Sequence, residues 1–333
     1  MLRVFAASGS EPKKRLGDAM SYADLIARMR AGGVVVIDGA TGTELERRGA
    51  PMNDDAWCGL VSLTHRDALE AVHQAYIAAG AEVITANTFA GSGLMLGQAG
   101  YGDRVREINL AAVEAALSAR EKTGRPEVVV AGSLSHMLPT PPNGDRAGRR
   151  HDITDQMMAD AFGELAEVLK EGGCELILLE MMFVPQRLAH AVAAAQATGL
   201  PMWCGFSVRA GDDGAVLSYT KYEDQPFAEV AALTRGAGFD AAGVMHSAPN
   251  VIGPALAVLA DHFDGPLTAY PDSGFLKMPH WQFEDVISPA ELCGFSTEWV
   301  AQGARALGGC CGLSPEHIEA LAPLKRAGSS GGL

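Results

Sequence analysis

Two adjacent cysteines sit between glycines in Leu307-Gly308-Gly309-Cys310-Cys311-Gly312, directly after the short run Ala304 to Leu307. A glycine-flanked turn at a strand end lets the backbone bend so that both sulfurs face one centre. Thiolates take zinc at about 2.3 Å, and a catalytic zinc keeps one coordination position open. From these residues alone, two other readings stand beside metal ligation: a strained vicinal disulfide, or two thiols buried as small hydrophobes. Glu180 closes the run Leu176 to Leu179. A carboxylate there is costly to bury unless a cation or ligand meets it, and Arg187 is the nearby ion-pair alternative. Asp38 opens Asp38-Gly39-Ala40-Thr41-Gly42-Thr43, which either presents backbone amides and a carboxylate to a ligand or caps the next segment. Two glycines and two threonines make a poor helix start, so a ligand-facing turn is expected.

These residues need elements to hold them. Short apolar runs alternate with segments of helical period along the chain: Val34–Asp38, Glu82–Phe89, Val128–Ser133, Leu176–Glu180, Met202–Val208, Ala241–His246, Leu267–Tyr270 and Ala304–Leu307. Each is followed by a stretch that reads as a helix. Continuous rather than alternating apolar strands belong to a parallel sheet buried on both faces. Eight such units in 333 residues match a single-domain (β/α)8 TIM barrel, whose sites lie at the C-terminal strand ends. A doubly wound open sheet is the alternative, and no Gly-x-Gly-x-x-Gly follows the first strand to support it. Read as a barrel, the chain brings Asp38, Asn87 with Phe89, Ser133, Glu180, His246, Tyr270 and the cysteine pair to one rim. A lone histidine is more often a structural hydrogen-bonder than a ligand, so the claim of His246 rests on its position. His246, Cys310 and Cys311 would together form a Cys2His metal site with one open position.

Composition excludes other classes. A net charge of −14, from 26 basic against 40 acidic residues, argues against nucleic acid and anionic membranes as partners. No run of 18 apolar residues exists to cross a membrane. Six cysteines in a chain this long are too sparse for a disulfide scaffold, and cytoplasmic localisation is expected. Residues 1–20 read as a disordered extension, 21–326 as the barrel and 327–333 as a flexible tail. The loop from Pro139 to Arg150, with Arg146, Arg149 and Arg150, reads as a solvated insertion or a lid.

The motifs Asp38-Gly39-Ala40-Thr41-Gly42-Thr43-Glu44-Leu45, Gly80 to Phe89, Gly132-Ser133, Leu178-Leu179-Glu180, Tyr270-Pro271-Asp272-Ser273-Gly274 and Gly308-Gly309-Cys310-Cys311-Gly312 resemble the homocysteine S-methyltransferases. The resemblance spans roughly Val34 to Leu321 and implies a barrel that holds one Zn2+ through three cysteine thiolates. Two of these match Cys310 and Cys311. The third is expected at the end of the sixth strand, where this chain has Met245-His246-Ser247 instead. Imidazole is a good zinc ligand, but putting this neutral donor in place of a thiolate makes the site one charge unit more positive. Three further departures are Leu134-Ser135-His136 after the third strand, Met181 after Glu180, and Ala90 where betaine-using members carry an aromatic. Quaternary ammonium groups favour aromatic cages, so a sulfonium donor is expected before betaine.

The resemblance implies methyl transfer from an onium donor to the zinc-bound thiolate of homocysteine, giving methionine. Asp38, Gly39, Thr41, Ser133 and Glu180 would meet the acceptor, with Asp38 and Glu180 in catalytic roles. Trp57, Asn87, Phe89 and Tyr270 would line the donor pocket. The expected partners are thus a small thiol and a small methyl donor, in a monomer or small homo-oligomer. Two other functions remain at this stage: a metal-dependent hydrolase or lyase with Glu180 as base, and a degenerate barrel that only binds a thiol or sulfonium.

Overall fold

β-Branched and aliphatic runs fold as strands here because both of their faces are covered. The structure, a computed structural model, describes residues 21–140, 152–220, 223–277 and 282–327. The expected extension, most of the expected tail, and Arg146, Arg149 and Arg150 lie outside the described residues.

Eight strands form one parallel sheet: β1 (Val35–Val36), β2 (Val83–Ala86), β3 (Val129–Ser135), β4 (Leu176–Met182), β5 (Met202–Phe206), β6 (Ala241–Met245), β7 (Leu267–Tyr270) and β8 (Ala304–Leu307). Their order around the sheet follows the chain, with β8 returning to β1. The sheet closes on itself through a parallel bridge between Ile37 and Val83. Glu82 N donates to Val36 O at 2.7 Å, and Asp38 N to Val83 O at 3.1 Å. The fold is therefore a single (β/α)8 barrel, as expected.

Side chains alternate across each strand. Val35, Val83, Val129, Leu176 and Leu178 point into the barrel, whereas Val36, Ile84, Val130, Ile177 and Leu179 pack outward against Leu69, Val72, Val113, Phe162 and Leu165 of the helices. The N-terminal end is closed by a helix that the sequence reading did not name, Tyr22–Arg30. Its start is fixed by a reciprocal capping box between Ser21 and Asp24. Leu25, Ile26 and Met29 extend the barrel's inner cluster. Tyr22 Oη donates to Asp240 and accepts from Trp203 Nε1. With one end plugged, a ligand can enter only at the other.

Three readings need correction. The segment after β1 is a helix, Thr41–Arg47, despite its glycines and threonines. It has no side-chain N-cap, and its backbone is held by packing: Leu45 is fully buried and Glu44 pairs with Arg47 and Arg48. Strands β3 and β4 each run two residues longer than expected, which carries Glu180 onto the strand proper rather than its last position. The expected fifth strand ends at Phe206, and Val208–Ala210 pairs instead with Val216–Ser218 in a hairpin. A second hairpin, Phe275–Lys277 with Gln282–Glu284, follows β7. Both stand at the C-terminal rim.

Strands β6 and β7 approach so closely that only glycine fits at Gly243: an added Cβ would lie 1.8 Å from Thr268 O. Overpacking against backbone costs about 1–3 kcal/mol or more. Gly243→Ala should lower the midpoint of thermal unfolding by about 5 °C or more. An unchanged melting temperature would mean that the two strands are not packed this way.

Candidate active site and metal centre

The open end of the barrel holds a cavity of about 840 Å3, within the range that encloses small ligands. All the residues singled out from the sequence line it: Asp38, Gly39, Thr41, Trp57, Asn87, Phe89, Ser133, Glu180, His246, Tyr270, Cys310 and Cys311.

Cysteines and histidine meet because the exit of β7 is threaded between those of β6 and β8. His246 N donates to Tyr270 O and Asp272 N to Ser247 O, while Cys310 N donates to Pro271 O and Ser273 N to Cys311 O. Gly312 completes the turn at φ +85°, and an added Cβ there would lie 2.3 Å from Ser273 O. His246 Nδ1 lies 3.5 Å from Cys310 Sγ, and the two sulfurs are 3.9 Å apart. The ligand atoms of all three residues fall within 4.8 Å of one another. Tetrahedral zinc with ordinary bond lengths requires edges of about 3.8 Å between sulfurs and about 3.6 Å between sulfur and nitrogen. The His246–Cys310 and Cys310–Cys311 separations match those edges to within a few tenths of an ångström.

The two thiols are linked by a hydrogen bond that Cys310 Sγ donates to Cys311 Sγ. The Cys310 hydrogen bond holds Cys311 well below the usual thiol range, and the same bond pushes Cys310 up. Burial alone lowers the His246 pKa, but the Cys311 thiolate, Asp272 and Glu180 outweigh it and raise it to about 9.

Two carboxyls line the same cavity. Asp38 accepts from Thr85 N at 2.7 Å and from Thr85 Oγ1 at 3.0 Å. Burial pushes it up to about 8 against those bonds, and the charge of Glu180 adds to the rise. Glu180 accepts a hydrogen bond from Ser133 Oγ. Burial, and then Cys311, raise it to about 7, while Ser133 and His246 pull it down. Among the described residues no lysine or arginine forms an ion pair with either carboxyl. A buried acid in this state takes up an ammonium group readily, because the incoming charge reverses the cost of ionising it.

Backbone strain concentrates here. Of the four non-glycine residues at positive φ among the described residues, three line the cavity: Trp57, Met181 and His246. Such conformations cost about 1–3 kcal/mol each and persist where the surroundings enforce them. Met181 follows Glu180, and its N–H faces Met245 Sδ at 2.9 Å. Trp57 stacks on Phe89, with ring centroids 5.3 Å apart.

Some residues do work other than that expected of them. The Asn87 amide donates to Cys58 O and accepts from Cys58 Sγ, tying the 50–60 segment to β2. The Tyr270 hydroxyl is buried without a partner among the described residues and lies over Gly205. The sequence reading missed Tyr219, Phe183, Phe275 and Phe283, which complete an aromatic wall. Phe183 and Tyr219 meet edge to face, as do Tyr219 and His246. For Tyr219 a signal existed: Asp213-Gly214 before the alternating Val216-Leu217-Ser218 is a hairpin signature.

Fold and site define a class: a (β/α)8 barrel with a thiolate and imidazole metal-type cluster at its C-terminal mouth. The comparisons name the family. The family model described as homocysteine S-methyltransferase matches residues 35–324, and the chain belongs to that family. A homocysteine S-methyltransferase of Zea mays is 26% identical over 88% of this chain and 89% of its own length. One from Bacillus subtilis is also 26% identical, over 88% of this chain and 95% of its own. The metallated form of an Escherichia coli homocysteine methyltransferase superposes with a TM-score of 0.71 at 24% identity, covering 87% of this chain and 96% of that one, which shows a shared fold. No helix among the described residues is long and apolar enough to cross a membrane.

A metal bound by these three groups must displace protons from Cys310 and His246, so its affinity rises as pH rises toward about 9. Zinc affinity should climb by about 100-fold per pH unit for two displaced protons between pH 6.5 and 7.5, read by competition with a chromophoric chelator. A flat profile would mean that neither group binds the metal in neutral solution.

Proposed function

We propose that the protein transfers a methyl group from an onium donor to the sulfur of homocysteine, giving methionine. The observation that carries this reading is the convergence in one cavity of a metal-ligand triad with a buried carboxyl that pairs with no lysine or arginine among the described residues. A thiol amino acid needs both: one end of the cavity for its sulfur, the other for its ammonium.

Cys310, Cys311 and His246 would hold zinc. Zinc bound there supplies a Lewis acid that lowers the pKa of an acceptor thiol, which at neutral pH is otherwise mostly protonated. The chain's own residues do the rest. Glu180, held by Ser133, receives the acceptor's ammonium group. Asp38, fixed by two bonds from Thr85 and pushed by burial toward its neutral form, adds a second carboxyl to the site, and Gly39 and Thr41 line the same cavity. With the amino-acid end anchored, the sulfur is confined beside the triad, and positioning accounts for much of the rate.

The donor lies over the sulfur, against Trp57, Phe89, Tyr219 and Phe183. An aromatic wall attracts onium cations through the ring quadrupoles. Ala90 is not among the cavity's lining residues, so this wall accepts sulfonium and quaternary ammonium groups alike. The expected preference for sulfonium came from position 90, which does not line the cavity, so the donor is left to the screen that follows. The deciding experiment incubates zinc-loaded protein with homocysteine and S-methylmethionine, S-adenosylmethionine, dimethylsulfoniopropionate or betaine, and detects methionine by mass spectrometry. Methionine from at least one donor is expected; none from any would overturn the reading.

Glu180 gives a pH signature. Its pKa, raised by burial to about 7, lies above the ordinary carboxyl value, so its contribution to stability is present at low pH and lost as pH rises through about 7. Ammonium binding needs the ionised form. Acceptor affinity should therefore rise with pH through about 7 and then level off. Glu180→Gln should weaken acceptor binding by about 10- to 100-fold and abolish that rise, as measured by KM for homocysteine across pH 6–8. A variant with unchanged KM would remove Glu180 from the acceptor site.

A further inference from the structure

The metal triad of this chain is one negative charge short of a three-thiolate set, because the imidazole of His246 is neutral when it ligates. A carboxylate stands beside it. Asp272 Oδ2 lies 3.8 Å from His246 Nδ1, the same ring nitrogen that faces Cys310 Sγ. Asp272 is not loosely placed: its N–H donates to Ser247 O, and the residues on either side of it bond to the cysteine turn through Pro271 O and Ser273 N. Its side chain is only 22% exposed and lines the cavity. The carboxylate is not one of the groups whose ligand atoms all lie within 4.8 Å of one another.

We infer that Asp272 supplies, from just outside the ligand set, the negative charge that His246 does not. The pair His246 and Asp272 stands in for one thiolate: the imidazole provides the bond and the carboxylate provides the charge. A dication held by two thiolates and an imidazole then sees three negative charges nearby, as it would among three cysteines. In the partly dry mouth of the barrel that third charge acts over a few ångströms with little screening. Carboxylates next to ligating histidines commonly govern metal affinity by about 10- to 100-fold. The inference rests on the proposed zinc centre, and it ties two positions, 246 and 272, that lie on different strand exits.

A double-mutant cycle tests it, with zinc dissociation constants as the readout. Asp272→Asn, His246→Cys and the double variant are compared by chelator competition at one pH. The absorption bands of the cobalt-substituted proteins report whether the ligand set itself has changed. Asp272→Asn should weaken zinc binding by about 10- to 100-fold in the parent protein and by less than about threefold alongside His246→Cys, where a third thiolate already carries the charge. The cobalt bands of Asp272→Asn should stay those of the parent. Equal losses in both backgrounds, or altered cobalt bands, would make Asp272 a ligand in its own right and overturn the inference, as would no loss in the parent. The Asp272 hydrogen bond to Ser247 uses backbone, so the substitution preserves it. Should the asparagine variant fail to fold, Asp272→Ser is read in the same cycle. Cys310→Ser separates the two levels: if the parent binds no zinc, or binds it regardless of Cys310, the metal centre itself is wrong.

Discussion

Negative charge crowded into a low-dielectric cavity is the constraint that the site is built around. Asp38, Glu180, Asp272, Cys310 and Cys311 converge on one enclosed volume. No single one of them is well solvated, and burial raises all three carboxyls. Isolated buried anions are too costly to keep, so each must be protonated, share a proton or meet a cation. The first two solutions are visible within the protein: the thiols share a hydrogen bond, and burial pushes Asp38 and Glu180 toward their neutral forms. A metal dication, an ammonium group and an onium methyl donor each offer the third. The reaction proposed for this chain needs all of these cations in one place.

The barrel makes such a concentration affordable. Its strands place their exits at one rim, its far end is plugged by Tyr22–Arg30, and the inner and outer apolar clusters lie below and around the rim. Strain is then tolerated where it is needed. His246 and Met181 adopt left-handed backbone at the exits of β6 and β4, and the β-bonding beneath holds them there. Turning at φ 43° directs the His246 imidazole toward the cysteines instead of continuing along the strand. The hairpins that follow β5 and β7 add the aromatic wall, so the groups that would meet the metal and those that would meet the donor come from neighbouring strand exits.

Much of this was legible in the chain. Eight uninterrupted apolar runs required a sheet buried on both faces, and the type and spacing of Cys310, Cys311 and His246 pointed to a metal site once a common rim was assumed, while the acceptor roles of Asp38 and Glu180 came from the family resemblance. Helix ends follow local rules too: Ser314 precedes Pro315 at a helix start, and Gly173 and Gly199 close their helices in left-handed conformation. These are local rules of sterics and hydrogen bonding, and sequence carries them directly. The Thr41–Arg47 helix defeated the same kind of reasoning because tertiary packing around Leu45 outweighed weak local propensity.

Tertiary structure alone decided the rest. Sequence names His246 and Asp272 but not the 3.8 Å between them, since they are 26 residues apart and meet only because β6 and β7 are neighbours in a closed barrel. Likewise Tyr219, Phe183 and Phe283 are ordinary aromatics in the chain and become a wall only when separate strand exits face one another. Asn87 shows the converse, a polar residue at a strand end whose amide is taken up by Cys58. Residue type and local order are written in the sequence, so it determined the strands, the barrel and the chemistry available at the rim. Distance, burial and charge coupling arise between segments remote in the chain, so only the folded barrel decided which of those residues act together.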